Sequence, residues 1–255
     1  MLLLQAMTVR LRKLDAMPVL PPLLPAISHL DAVGDRDAIA RLHRRASRYV
    51  LAVALPVAAG LVVLAPALFR AWLGAGNAGA ATAAAALGLA LGVNSLTGVG
   101  SSIVRGVGRA GLEAEYFVLA TLVHVPLSLV LIPRLGVRGG LAALVVSCAL
   151  GTVWFVVRFH RAFAVPLGAF LVRVVLPPAC VAVVAAAVAG LAGDALAGLL
   201  PGASRLHAVA MLAGGGLVLA AIALLALVTV RYLSIGELRE LLALVSGRRR
   251  GGEAA

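Results

Sequence analysis

Acidic residues are scarce in this chain, and their placement says as much as their number. Only ten Asp and Glu occur in 255 residues. Asp31, Asp35, Asp37, Glu113, Glu115, Asp194, Glu237, Glu240 and Glu253 fall in the stretches between or after the apolar runs, and Asp15 stands alone in a proline-rich segment. Acid–base and metal chemistry need titratable groups held near one another, so this scatter speaks against an enzyme. Five histidines, at positions 29, 43, 124, 160 and 207, show no ligand spacing to one another. No metal and no other cofactor is expected. Cysteine is nearly lacking as well: Cys148 and Cys180 both lie in apolar runs, where neither a disulfide nor a metal pair is implied. Lysine occurs once, at position 13, and with the abundance of Ala, Gly and Val this reflects base composition rather than function. A short apolar start, MLLLQAM, leads into Arg10, Arg12 and Lys13 instead of a small-residue cleavage site, so no cleavable signal peptide is expected. The fragment GVGRAG at 106–111 lacks the Lys-Ser/Thr of a phosphate-binding loop and reads as a turn.

What the chain does have is apolar length. Hydrophobic residues make up 62% and charged residues 13%, with a mean hydropathy of +1.08. A soluble domain is roughly half apolar and a quarter charged, and a chain of this size in water leaves much of its surface wet. A bilayer accepts such surface provided every backbone group is satisfied within helices or a closed barrel. The runs are long and lack the dyad alternation of a barrel, so the fold class is all-α, a polytopic transmembrane helix bundle. Spans are placed at 50–69, 79–100, 116–133, 137–157, 170–192 and 207–230, each near the roughly 20 residues that cross a hydrocarbon core. Residues 14–30 are apolar but carry Asp15 and prolines at 18, 21, 22 and 25, which predicts a broken or re-entrant segment. Residues 233–255 read as an amphipathic interfacial tail ending in Arg248, Arg249 and Arg250.

Basic residues alternate between the connecting loops. One phase holds Arg36, Arg41, Arg44, Arg45 and Arg48 in 31–49, then Arg105 and Arg109, then Arg158, Arg161 and Arg173, then the tail; the other holds only Arg70, Arg134, Arg138 and Arg205. Cytoplasmic loops carry the excess of Arg and Lys, so the first phase and the C-terminus are expected inside, in a multi-pass protein of the cytoplasmic (inner) membrane. The net charge of +12 then follows from topology, and no nucleic acid partner is expected. Gly88 and Gly92, Gly98 and Gly100, and the run Gly214 to Gly216 predict close helix approach. Polar side chains inside the spans are Asn94, Ser95, Thr97, Ser101 and Ser102, then His124 and Ser128. Polar groups at membrane depth are site candidates; hydrogen bonding between helices is the alternative reading.

Residues 23–74, LLPAISHLDAVGDRDAIARLHRRASRYVLAVALPVAAGLVVLAPALFRAWLG, resemble the part of polysaccharide and lipid-linked oligosaccharide flippases in which a helix ends in Pro-Ala-hydrophobic-Ser, a basic cytoplasmic stretch follows, and a proline-containing span closes in Leu-Gly. IVRGVGRAG at 103–111 is similar to that family's turn after the next span, and LSLVLIPRLGVRGGLAALVVS at 127–147 to its following hairpin. His124 departs from the pattern, which tends to carry Asn there. The resemblance, to the multidrug/oligosaccharidyl-lipid/polysaccharide exporter superfamily, implies a fold of two six-helix lobes with two extra C-terminal helices. It implies that 31–165 form most of a second lobe, 166–232 the extra pair and 1–30 a partial segment, so that the first lobe is a separate chain or a second copy, or the chain is a truncated product. The activity it implies is flipping a polyprenyl-diphosphate-linked oligosaccharide, with membrane lipids as surroundings, for polysaccharide or lipopolysaccharide biosynthesis in the cell envelope. Arg10, Arg12 and Lys13 are then candidate contacts for the diphosphate, and Asn94 and His124 for the glycan. A membrane scaffold or assembly subunit, and an ion-coupled drug exporter lobe, are the other readings.

Overall fold

The structure is a computed structural model that describes residues 23–74, 78–198 and 205–229. Among these residues every regular element is a helix, and the all-α bundle expected from the apolar runs is what forms. Among the described residues, five helices are long and apolar enough to cross a membrane, or six if one bent pair counts as a single span.

Helix α1 (Leu23–Ala32) is all that is described of the proline-rich segment; the rest of 14–30 and the tail 233–255 lie outside the described residues. A turn through Gly34, with φ of 73°, leads to Asp35, whose Oδ1 accepts from the backbone N of Ala38 at 2.8 Å and caps α2 (Arg36–Leu73). Here the structure corrects the sequence reading, which left 31–49 as a loop. Buried Ile39, His43, Ala46, Ser47 and Val50 alternate with exposed Arg41, Arg44 and Arg45, which is helical periodicity under a dense charge pattern. At 38 residues and a rise of about 1.5 Å each, α2 is far longer than a bilayer core is thick. Its basic first turns therefore belong outside the hydrocarbon.

The expected span 79–100 is also corrected. It divides into α3 (Ala78–Asn94) and α4 (Gly98–Gly106), bent by 47°. Helices α5 (Gly111–Leu135) and α6 (Val137–Ala162) form a hairpin closed at Gly136, whose φ of 59° suits a residue without Cβ. The remainder is a short α7 (Leu167–Phe170), a π-helical turn over Leu171–Val175, α8 (Leu176–Gly198) and α9 (Arg205–Thr229).

Helix α2 is the hub. It packs against α3 on one flank and against α8 and α9 on the other, while α6 covers α3 and α5 covers α6. The close α2–α3 contact depends on missing side chains: a Cβ on Gly88 would meet the Ala58 carbonyl oxygen at 3.1 Å, and one on Gly92 the Ala58 Cβ at 3.0 Å. At the far end of the row, α5 has 6% of its most apolar window buried, against 50% for α2. Phe117, Leu122 and Leu129 point away from the protein, which water would penalise by about 25 cal/mol per Å² of apolar area. Lipid tails impose no such penalty.

Candidate functional site: a broken span and its polar seam

Asn94 is the last residue of α3, and the break that follows it is stabilised by its own side chains. Ser95 Oγ donates to the Gly92 carbonyl at 2.6 Å, and Thr97 Oγ1 donates to the Asn94 carbonyl at 2.8 Å. Hydroxyls at i to i−3 spacing satisfy carbonyls that the interrupted helix leaves open, and in a bilayer every such group must be satisfied internally. Ser102 Oγ then donates to the Gly98 carbonyl at 3.1 Å where helix resumes. The break is thus encoded by Asn, Ser and Thr set among glycines.

From this break the Asn94 side chain reaches across the bundle. Its Oδ1 accepts from the Tyr116 hydroxyl on α5 at 2.7 Å. Its amide nitrogen donates to none of the described residues, and the residue is half-buried. Close by on α6, the Cys148 thiol donates to the Ala90 carbonyl of α3 at 3.4 Å, and Thr152 Oγ1 is buried with no partner among the described residues. Asn94, Tyr116, Cys148 and Thr152 therefore make a narrow polar seam where α3, α5 and α6 approach. Tyr116 was not among the sequence candidates. Its position, at the first residue of the span expected over 116–133 and followed by apolar residues, looks like an interfacial aromatic, and only the tertiary contact reveals its partner.

His124 lies elsewhere. Its Nε2 is 3.5 Å from Ser128 Oγ and its Nδ1 3.4 Å from Ser147 Oγ of α6. These distances are at the outer limit for a hydrogen bond, and Ser147 already donates to the Leu144 carbonyl at 3.0 Å. Eight residues of helix separate His124 from Tyr116, roughly 12 Å at the usual rise. Asn94 and His124 do not converge on one centre. Arg10, Arg12 and Lys13 lie outside the described residues.

The arginines near the ends of α4 and α6 are engaged with neighbouring side chains. Arg105 at the end of α4 forms a bidentate pair with Glu113, its Nε at 2.6 Å from Oε2, and Arg158 grips Glu115 with both contacts at 3.2 Å. The Arg109 guanidinium stands 5.7 Å from the centre of the Phe163 ring. Toward the opposite ends of the helices, an open groove of about 400 Å³ lies between the start of α3 and the α5–α6 hairpin, lined by Thr82, Leu135 and Arg138. None of the sequence candidates lines it.

Long apolar helices in a row, one of them interrupted around satisfied polar side chains, define a polytopic α-helical membrane protein. No protein-family model, no curated protein and no solved structure matches this chain.

Proposed function

We propose that this protein is one lobe of a membrane transporter that flips a polyprenyl-diphosphate-linked oligosaccharide across the cytoplasmic membrane. The observation that carries the transport reading is the break between α3 and α4 at Asn94. Interrupted spans are tolerated at membrane depth where they lie inside protein or border a watery path, and they mark binding sites in transporters. The lipid-linked glycan as cargo rests on the resemblance of residues 23–74, 103–111 and 127–147 to the flippases.

In this reading the half-buried Asn94 amide offers its free donor to a sugar hydroxyl, while Tyr116 holds its carbonyl end. The diphosphate is met by Arg10, Arg12 and Lys13, which supply charge-assisted hydrogen bonds in a low-dielectric setting. A second lobe, encoded separately or contributed by a second copy, rocks against this one. The broad uncovered face of α5 also suits a scaffold subunit, which would collect helices of other envelope proteins instead of moving cargo.

The test is leaflet transfer in proteoliposomes carrying a fluorescent polyprenyl-diphosphate sugar, with the full chain alone and together with any helical membrane protein encoded beside it. Transfer above protein-free vesicles, lost when Arg10, Arg12 and Lys13 are all replaced by Ala, is the expected result. Absence of transfer in both preparations favours the scaffold.

A further inference from the structure

The first turns of α2 present two unlike faces. One is buried, with His43 set against Phe159 and His160 of α6 at ring-centroid distances of 4.6 and 5.5 Å. The other carries Arg41, Arg44, Arg45 and Arg48, at the i, i+3, i+4 and i+7 positions of one helical stripe. Arg41, Arg44 and Arg45 are exposed. The transport reading uses none of the four.

Acids within the helix do not balance this stripe. α2 has no Asp or Glu after Asp37, and like charges three or four residues apart destabilise a helix. Residues 41 and 44, 41 and 45, 44 and 48, and 45 and 48 are all such pairs. Arg41 approaches the cap residue Asp35 only to 3.9 Å, between exposed side chains, and Arg44 makes no hydrogen bond or ion pair among the described residues. The exposed ridge does not stop at the arginines. Arg45, Tyr49, Val53 and Val57 follow at i+4 spacing, with Arg45 Nε donating to the Tyr49 hydroxyl at 3.0 Å. Val53 is 37% exposed and Val57 46%. Charge thus gives way to bare apolar surface across a tyrosine, as at a membrane–water interface. With the apolar span expected from residue 50, Arg48 stands at the hydrocarbon edge. The helical rise then sets Arg44 and Arg45 about 5 Å farther out and Arg41 about 10 Å. A headgroup layer is roughly 5–8 Å deep, so the arginines run through it.

We propose that this ridge of α2 binds an anionic phospholipid, whose headgroup is met by Arg41, Arg44 and Arg45 and whose acyl chain lies along Val53 and Val57. Guanidinium groups meet phosphate oxygens with two N–H donors at once. A lipid matches both halves of the ridge, whereas a free phosphate or an acidic protein segment matches only the basic half. The site is independent of what the protein transports. A lipid held here ties the hub helix, and through it α3, α8 and α9, to the charge of the surrounding leaflet.

The experiment is native mass spectrometry of the full chain in detergent, titrated with phosphatidylglycerol and with phosphatidylcholine of the same acyl chains. Phosphatidylglycerol should bind the more tightly by at least about tenfold. An arginine at an anionic surface contributes about fivefold, so replacing Arg41, Arg44 and Arg45 together by Gln should weaken phosphatidylglycerol about a hundredfold and leave phosphatidylcholine unchanged. A control variant with Arg109, Arg161 and Arg173, all exposed, replaced by Gln removes the same charge elsewhere and should keep the wild-type preference. Equal binding of the two lipids by the wild type overturns the proposal, as does an equal loss in the control, which would make the attraction a diffuse one. Displacement of phosphatidylglycerol by an equal concentration of inorganic phosphate, or tighter binding of a polyprenyl diphosphate lost in the same variant, overturns it too, giving the ridge to a free anion or to the cargo. If the triple variant aggregates, Arg44→Gln alone should still show the fivefold loss, and its absence sinks the site.

Discussion

Asn94 is held by one strong contact, and that contact can be measured. Hydrogen bonds between transmembrane side chains contribute about 0.6 kcal/mol on average and up to about 1.7. The Tyr116 hydroxyl at 2.7 Å from Asn94 Oδ1 lies in a seam shielded by Phe155 and Phe117, which places it toward the upper part of that range. Asn94→Ala and Tyr116→Phe should each lower the unfolding free energy in detergent by about 1–1.7 kcal/mol, and the double variant should lose less than the sum. Strict additivity would show that the pair is not coupled. His124 has only long contacts to Ser128 and Ser147, so His124→Asn should change stability by less than about 0.5 kcal/mol in the same assay. Sequence alone singled out Asn94 and His124 equally, since both are polar side chains in apolar runs. It could not rank them, because the rank depends on which helix stands opposite.

At the level of the helix, two kinds of contact govern the row. The α2–α3 contact depends on the absence of side chains at Gly88 and Gly92, with Ala58 against both. Gly92→Leu forces backbone separation, and overpacking of this kind costs about 1–3 kcal/mol. A lowered midpoint of thermal unfolding, with helix content by circular dichroism intact before the transition, is the expected reading. The start of α5 is joined to α4 and to α6 by ion pairs of unequal exposure. Glu113 has a side chain 12% exposed, whereas Arg158 and Glu115 are 46% and 42% exposed. Exposed pairs contribute about 0–1 kcal/mol, so Arg158→Gln should be nearly silent and Glu113→Gln should be the more damaging of the two. Glycine spacing made the helix contact legible in advance. The bend at Asn94 was not, because an apolar run broken by Asn, Ser and Thr reads the same whether those hydroxyls cap a break or bond across an intact helix. The helical start of α2 was hidden for a related reason: its arginines were read for topology, while their helical spacing carried the structural message.

For the whole molecule, the orientation rests on charge. With Cys148 and Cys180 replaced by Ala, a single cysteine introduced at position 109 should be labelled by an impermeant maleimide only after the cells are opened, and one at position 134 should react in intact cells. The reverse pattern would invert the topology drawn from the loop arginines. What the sequence by itself determined is the solvent and the class of fold: apolar runs of span length admit few structures in lipid, because a backbone without water must satisfy its hydrogen bonds within each helix. The order of helices in the row, the pairing of Asn94 with Tyr116 and the burial of His43 against His160 were decided by tertiary structure alone. Those contacts join residues far apart in the chain, and in hydrocarbon no hydrophobic drive singles out one helix face over another. Shape and a few polar groups make that choice, and they become visible only when the helices meet.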